Sequence, residues 1–416
     1  MKAQLPDRAV VLLGEYEVGV LERLGESSRF EPSETWAELP AGGRPVLGQQ
    51  FEDDPFAAHR ARYGAPTWFE HLLPELGGPL RDAIARSLEI DPGRSLALLL
   101  ALGEDLPGAV RVRALGTESP FVTVARRERS DDASEDEASS GPTDLPLRVS
   151  LAGLQFKISA RMGKRGIGLP ARNEEGDWIL KFADQRFPTL PVNEFLTMTW
   201  GRLAGLNAPD VRLEHTALIA GLDAIGPAVG ELAFAIRRYD RTDAGRIHQE
   251  DFAQALGLAA GDAKYRDTNV DTILRVVAEI SPGDVDELLS RLAFCIVCGN
   301  DDAHAKNWSL WYPDPTHPRL SPAYDLVSTV EYFPDNHMSL KLARARRFDE
   351  VDRARFKLLA ERTGLEPGGV DELVVDAVRR QVAAWDEIRE REEATPEFRE
   401  LIDGRLSRLR LVRQSR

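Results

Sequence analysis

Gly299-Asn300-Asp301-Asp302-Ala303-His304-Ala305-Lys306-Asn307 follows directly on an apolar, helix-like run at residues 288–298. Six of these nine residues are polar or charged, and ordering so many polar groups is costly unless they bind something. Asp302 and Asn307 stand in the relation D-x-x-x-x-N. Phosphoryl transfer in protein kinases uses this spacing: the Asp accepts a hydroxyl proton and the Asn oxygen ligates Mg2+. A capped, exposed loop is the alternative that this segment alone leaves open.

Outward from the loop, Asp325 ends Leu320-Ser321-Pro322-Ala323-Tyr324-Asp325, 18 residues beyond Asn307. It can supply the carboxylate that a nucleotide-bound Mg2+ needs besides phosphate and water. Upstream, Lys181 ends the apolar run Trp178-Ile179-Leu180. A lone Lys is seldom buried unpaired, so the position suits a phosphate-gripping lysine with Glu194, at the start of the next helix, as its partner. A snorkelling Lys at the rim is the other reading. Further upstream, Ser150-Leu151-Ala152-Gly153-Leu154-Gln155-Phe156-Lys157 lies between two strand-like runs. Its backbone N–H groups and Lys157 could cover phosphates, although an ordinary hairpin turn would look the same. The order is what persuades: loop, strand Lys, helix Glu, D-x-x-x-x-N, metal Asp.

The rest of the chain fits a sheet-built lobe followed by a helical lobe. With 416 residues, 43% of them hydrophobic, two or three cores can be buried. Residues 1–125 begin with strand-like alternation at 9–13 and 18–24 and continue into amphipathic stretches at 68–76 and 80–88. They read as a small α/β module in which no chemistry is legible. Residues 126–146 form an acidic, Ser-rich connection without apolar period. Residues 147–240 are strand-rich, with segments at 147–151, 156–159, 178–182, 216–219 and 232–239 and one helix at 193–206. From 241 to 416 the pattern is helical, apart from a loop-rich break at 299–345. The expected fold class is therefore α+β and bilobal, protein-kinase-like, with an accessory N-terminal α/β subdomain and an all-α C-lobe.

No stretch approaches the roughly 18 apolar residues needed to cross a bilayer, and the N-terminus shows neither a basic n-region nor a cleavage site. A cytoplasmic protein without membrane contact is expected. The two cysteines, Cys295 and Cys298, sit in an apolar run and read as core packing, with a redox or zinc role as the alternative. The net charge of −15 argues against the chain coating DNA by itself.

At this point the chain resembles the HipA family of bacterial type II toxin kinases over nearly its full length. The family's S-x-A-G-x-Q-x-K loop appears as Ser150, Ala152, Gly153, Gln155 and Lys157, its strand lysine as Lys181, and its P-x-N-E helix opening as Pro191-Val192-Asn193-Glu194. The hinge E-R-[FY]-D-R is Arg237-Arg238-Tyr239-Asp240-Arg241, followed by His248-Gln249-Glu250-Asp251. The catalytic D-x-H-x-K-N is Asp302, His304, Lys306 and Asn307, and P-x-Y-D runs from Pro322 to Asp325. Phe69-Glu70-His71-Leu72-Leu73-Pro74-Glu75 resembles part of the family's accessory domain.

The resemblance implies an ATP- and Mg2+-dependent serine/threonine kinase with Asp302 as catalytic base and Asn307 and Asp325 as metal ligands. ATP contacts would come from Ala152, Gly153, Leu154, Gln155, Phe156 and Lys157, then Lys181, the hinge residues Arg237, Arg238 and Tyr239, and finally His304, Lys306, Asn307, Tyr324 and Asp325. Ser150 would be autophosphorylated and silence the enzyme, since about two negative charges beside a phosphate-binding loop repel ATP. Implied partners are a HipB-like helix-turn-helix antitoxin, operator DNA through that antitoxin, and an aminoacyl-tRNA synthetase substrate, notably the glutamyl enzyme. Arg237 departs from the family's Glu, which puts nucleotide affinity or preference in doubt. Two alternatives remain: a nucleotide-binding regulator acting with its antitoxin, and a small-molecule kinase using the same machinery.

Overall fold

The computed structural model describes residues 6–115, 157–164, 166–170, 175–183, 186–222, 230–333 and 337–416. Ser150, the loop residues 152–156 and the acidic connection 126–146 lie outside the described residues.

The N-terminal module is built on an antiparallel sheet in the order β4-β3-β2-β1-β5, with β1 Arg8–Leu13, β2 Tyr16–Leu24, β3 Ser27–Pro32, β4 His59–Ala61 and β5 Val110–Ala114. Ala9, Val11 and Leu13 alternate into its core, as period-two patterning requires. The apolar helix Ser95–Leu102 and the aromatics Phe30, Phe51, Trp68 and Phe69 fill that core. Of the two expected helical stretches, residues 79–87 form one, whereas 67–70 make a single turn. Leu72 and Leu73 beyond that turn are both buried, so the chain runs on irregularly up to Pro74.

The second sheet has the order β7-β6-β8-β10-β9, with β6 Lys157–Gly163, β7 Gly166–Gly168, β8 Trp178–Phe182, β9 Val211–His215 and β10 Leu232–Arg237. Its two faces are specified by alternation. Ile158, Leu180 and Ala235 face one small core, while Lys157, Lys181 and Phe234 stand opposite one another in register on the other face. The strand expected at 216–219 is instead a 3-10 turn, Thr216–Leu218, and the strand lies just before it. Val211 and Leu213 alternate along an edge with polar neighbours, which gives a weaker signal than the contiguous apolar residues 217–219.

The helix Leu190–Leu203 crosses this sheet and packs on the C-lobe helix Pro367–Ile388. Trp200 sits between Phe294 and Trp385, with ring centroids 5.2 and 5.0 Å away. One continuous core thus joins this helix to the C-lobe helices Val270–Ile280, Val285–Cys298 and Arg353–Thr363. The bilobal, kinase-like expectation holds, but the C-lobe is not all helix. A three-stranded sheet (His248–Asp251, Ser309–Asp314, His317–Leu320) and a hairpin (His337–Leu342, Ala345–Arg347) occupy most of the region read as loop-rich, and the first of these strands lies in a stretch read as helical. Pro318 and Pro322 and the short lengths of these strands masked their pattern in the sequence. Cys295 and Cys298 are buried and free, with burial pushing the Cys295 thiol up to about 12, as core packing requires.

Candidate active site

The helix Val285–Cys298 ends at Gly299, whose φ of +78° an L side chain rarely adopts. A Cβ there would also come within 2.7 Å of Val330. This tight stop turns the chain sharply into residues 300–307, at the floor of a cleft of about 730 Å³ between the two lobes.

Two side chains of the loop, and Thr329 from outside it, organise it. Asn300 accepts the Asp302 N–H at 3.1 Å and donates to the Asp325 carbonyl at 3.2 Å, tying the two acidic segments together. The Asn307 carboxamide nitrogen donates to the Asp302 carbonyl at 2.7 Å, which leaves its oxygen as the atom suited to a hard cation. Thr329 Oγ1 receives the Asp301 N–H at 2.7 Å and donates to the Gly299 carbonyl at 2.8 Å.

From the other lobe come Lys157 and Lys181. Like charges directly opposite on paired strands repel, so this register needs anions. Glu194 Oε1 lies 2.5 Å from Lys181 Nζ, and Asp325 also pairs with Lys181 while its Oδ2 lies 4.0 Å from Lys157. Burial alone would raise the Asp325 carboxyl; the two ammonium groups overturn that and hold it well below the ordinary carboxylate range. Lys181 is raised in turn: its burial is outweighed by Asp325 and Glu194. The two ammonium groups face two carboxylates, although burial pushes the Glu194 carboxyl up against the pull of Lys181 and pushes the Lys157 ammonium down against the pull of Asp325. Asn193, next to Glu194, receives the Ser328 N–H at 2.8 Å and donates to the Ser328 carbonyl at 2.9 Å. This amide clamp pins the segment after Asp325 to the N-lobe helix.

Asp302 faces the open cleft. Water reaches 58% of its side chain, yet the surrounding protein desolvates the carboxyl enough to push it up to about 6, with Lys264 pulling down and Asp301 and Asp325 pushing up. Beside it, burial and then the ammonium groups of Lys264 and Lys306 lower His304 to about 3, so its imidazole is neutral. His304 Nδ1 is buried and finds no protein partner among the described residues, a cost that a polar ligand in the cleft would remove.

The hinge residues divide. Tyr239 lines the cleft, its ring centroid 5.9 Å from that of Tyr324. Tyr324 OH donates to the Lys306 carbonyl at 2.8 Å. Arg237 is exposed at the cleft rim, and its N–H is taken by the Asp210 carbonyl at 2.9 Å. Arg238 is also part of the cleft wall, but its guanidinium is committed to Asp240 and to Asp105 of the N-terminal module, at 2.8 and 2.9 Å. Asp240 accepts the Gly108 N–H, and Arg241 donates to the Gly108 and Leu106 carbonyls. Glu250 receives Trp68 Nε1 and the Gln49 N–H, both at 2.9 Å. The R-Y-D-R and H-Q-E-D segments are thus largely fasteners between the module and the rest of the chain.

Sequence reasoning brought Lys157, Lys181, Glu194, Asp302, His304, Lys306, Asn307, Tyr324 and Asp325 into one cleft, and the structure places them there. It missed Asn193, Asn300 and Thr329, and it missed His71, Glu75, Lys264 and Tyr265, which also line the cleft. Asn193 carried a signal, being a polar residue among buried ones in a helix. Glu75 and Lys264 carried none, because their pairing spans 189 residues.

The HipA N-terminal domain family matches residues 9–113, and the HipA-like C-terminal domain family matches residues 149–385. The chain is 38% identical over 362 residues to Y4dM of Sinorhizobium fredii, a protein named as an inferred kinase, covering 82% of this chain and 83% of that one. It is 27% identical over 326 residues to the serine/threonine-protein kinase toxin HipA of Shewanella oneidensis, covering 71% and 70%. The solved complex of HipA, HipB and operator DNA from Shewanella oneidensis MR-1 contains a chain that superposes with a TM-score of 0.70 at 20% identity, over 98% of this chain and 99% of that one. With both domains matched in order and a relative this similar over most of its length, the chain belongs to the HipA family of toxin kinases.

Proposed function

We propose that this chain is an ATP- and magnesium-dependent serine/threonine protein kinase. The observation that carries the reading is the convergence of Asp302, Asn307, Asp325, Lys181 and Glu194 on one interlobe cleft. Lys181, held by Glu194, offers a fixed ammonium to phosphate oxygens; Lys157 adds a second. Ile179 and Ile236 give the cleft an apolar wall, suited to the face of a base. Asp302 takes the proton of the acceptor hydroxyl, its carboxyl standing free enough to reach one. Asn307 and Asp325 would hold magnesium, which when bound supplies the charge that offsets the phosphate oxygens. The donors fit it: one ionised carboxylate and one amide oxygen are hard ligands for a hard cation.

The acceptor is proposed to be a serine on an aminoacyl-tRNA synthetase, the glutamyl enzyme first, with growth arrest as the outcome; family resemblance supports this. A HipB-like, DNA-binding antitoxin is the proposed neutralising partner, in the cytoplasm. The Shewanella complex supports that partner, and the net charge of −15 favours a basic one. Ser150 is the proposed site of self-silencing. The test is incubation of the purified chain with γ-labelled ATP and Mg2+. Wild type should label itself at Ser150, and Asp302→Ala and Asp325→Ala should each lose at least about 100-fold in rate. Wild-type labelling by Asp302→Ala would contradict the reading.

A further inference from the structure

We propose that the N-terminal module takes part in catalysis, with Glu75 and Tyr265 acting as positioning residues for the Asp302 carboxylate. The proposal rests on the kinase reading above. Glu75 of the module pairs with Lys264 of the kinase body. Lys264 is 8% exposed, and its Nζ lies 4.9 Å from the Tyr265 ring centroid. Tyr265 OH donates to Asp302 Oδ1 at 3.2 Å, and its ring meets His304 edge-on with centroids 5.0 Å apart. The same module segment engages the catalytic loop directly: Lys306 Nζ donates to the His71 carbonyl at 3.3 Å, and the His71 ring bonds to the Leu258 carbonyl at 2.7 Å. His71, Glu75, Lys264, Tyr265 and Lys306 all line the cleft that contains Asp302.

Each link has a chemical consequence. A carboxylate as open as Asp302 rotates freely unless one oxygen is held. Tyr265 holds Oδ1 and leaves Oδ2 for the acceptor hydroxyl. A buried ammonium needs an anion. Glu75 supplies one for Lys264, which keeps that cation from collapsing onto Asp302 and masking the base. The module is therefore more than a docking appendage: its 71–75 segment completes the catalytic wall.

The experiment measures initial rates of Mg2+-dependent self-phosphorylation of the full chain over a range of ATP concentrations for Glu75→Gln, Tyr265→Phe and the double variant Glu75→Gln/Lys264→Met, alongside Asp302→Ala. Glu75→Gln and Tyr265→Phe should lower kcat by about tenfold while KM for ATP stays within about twofold. The double variant should recover part of the loss, because the unpaired cation is gone. A merely structural contact at the module boundary predicts the reverse, with the double variant no better than Glu75→Gln and Tm falling in step with kcat. That outcome, or wild-type kcat in both Glu75→Gln and Tyr265→Phe, would overturn the proposal. Wild-type turnover in Asp302→Ala, or none in the wild type, would instead overturn the kinase reading on which it stands.

Discussion

Asp325 has a φ of 53°, in the left-handed region that Asp tolerates better than most residues but that still costs energy. The twist presents its carboxylate to Lys157 and Lys181 while its backbone carbonyl receives Asn300. Strain of this kind persists only where the surroundings fix it, and here two hydrogen bonds, from Lys181 and Asn300, and the nearby Lys157 ammonium do so. Asp302 is governed by different physics. With its carboxyl pushed up to about 6, it is ionised, and able to accept a proton, above that pH. Turnover should therefore rise with pH through about 6 and level off near neutrality, since His304, lowered to about 3, does not titrate there. A profile of kcat/KM from pH 4.5 to 8 checks this; a rate that is flat down to pH 4.5 would remove Asp302 from the role of base. That Asp302 and Asn307 share one cleft was legible in the sequence because their D-x-x-x-x-N spacing is local. Lys264 and Tyr265 were not, since nothing local marks a lysine and a tyrosine that the fold carries to the Asp302 carboxylate, 37 residues beyond Tyr265.

At the scale of elements, the site depends on two helix termini. One is the stop at Gly299, which aims residues 300–307 into the cleft, with Arg405 donating to the Ile296 and Val297 carbonyls at 2.6 and 3.1 Å to satisfy that helix end. The other is the opening of Leu190–Leu203, where Asn193 clamps both backbone groups of Ser328. Asn193→Ala leaves a buried N–H and carbonyl without these partners, which should cost about 2 kcal/mol, and should loosen the segment after Asp325. Denaturant unfolding measures the first effect; a rise in KM for ATP measures the second. Unchanged stability would show that water replaces the amide. The strands and helices with strong period were readable in the sequence, Trp178–Phe182 among them. The C-lobe strands were not, because they gain their stability from pairing with distant segments, as His248–Asp251 does with Ser309–Asp314, rather than from local propensity.

At the scale of the molecule, the N-terminal module and the kinase body share a buried polar seam. Burial would raise the Asp240 carboxyl, but Arg238 and Arg241 overturn that and hold it far below the ordinary range. Asp240→Asn removes the charge between two buried guanidinium groups, so the seam should lose about 3 kcal/mol, and limited proteolysis should separate module from body. An intact, equally stable chain would show that the seam is held by its apolar contacts instead. The central claim is that both lobes close on one nucleotide and one metal. A crystal structure with magnesium and a non-hydrolysable ATP analogue tests it most directly. A metal is expected roughly 2.1 Å from Asn307 Oδ1 and from an Asp325 carboxylate oxygen, with Lys181 Nζ on a phosphate and Asp302 facing the terminal one. A nucleotide bound elsewhere, or a metal that neither Asn307 nor Asp325 touches, would contradict it.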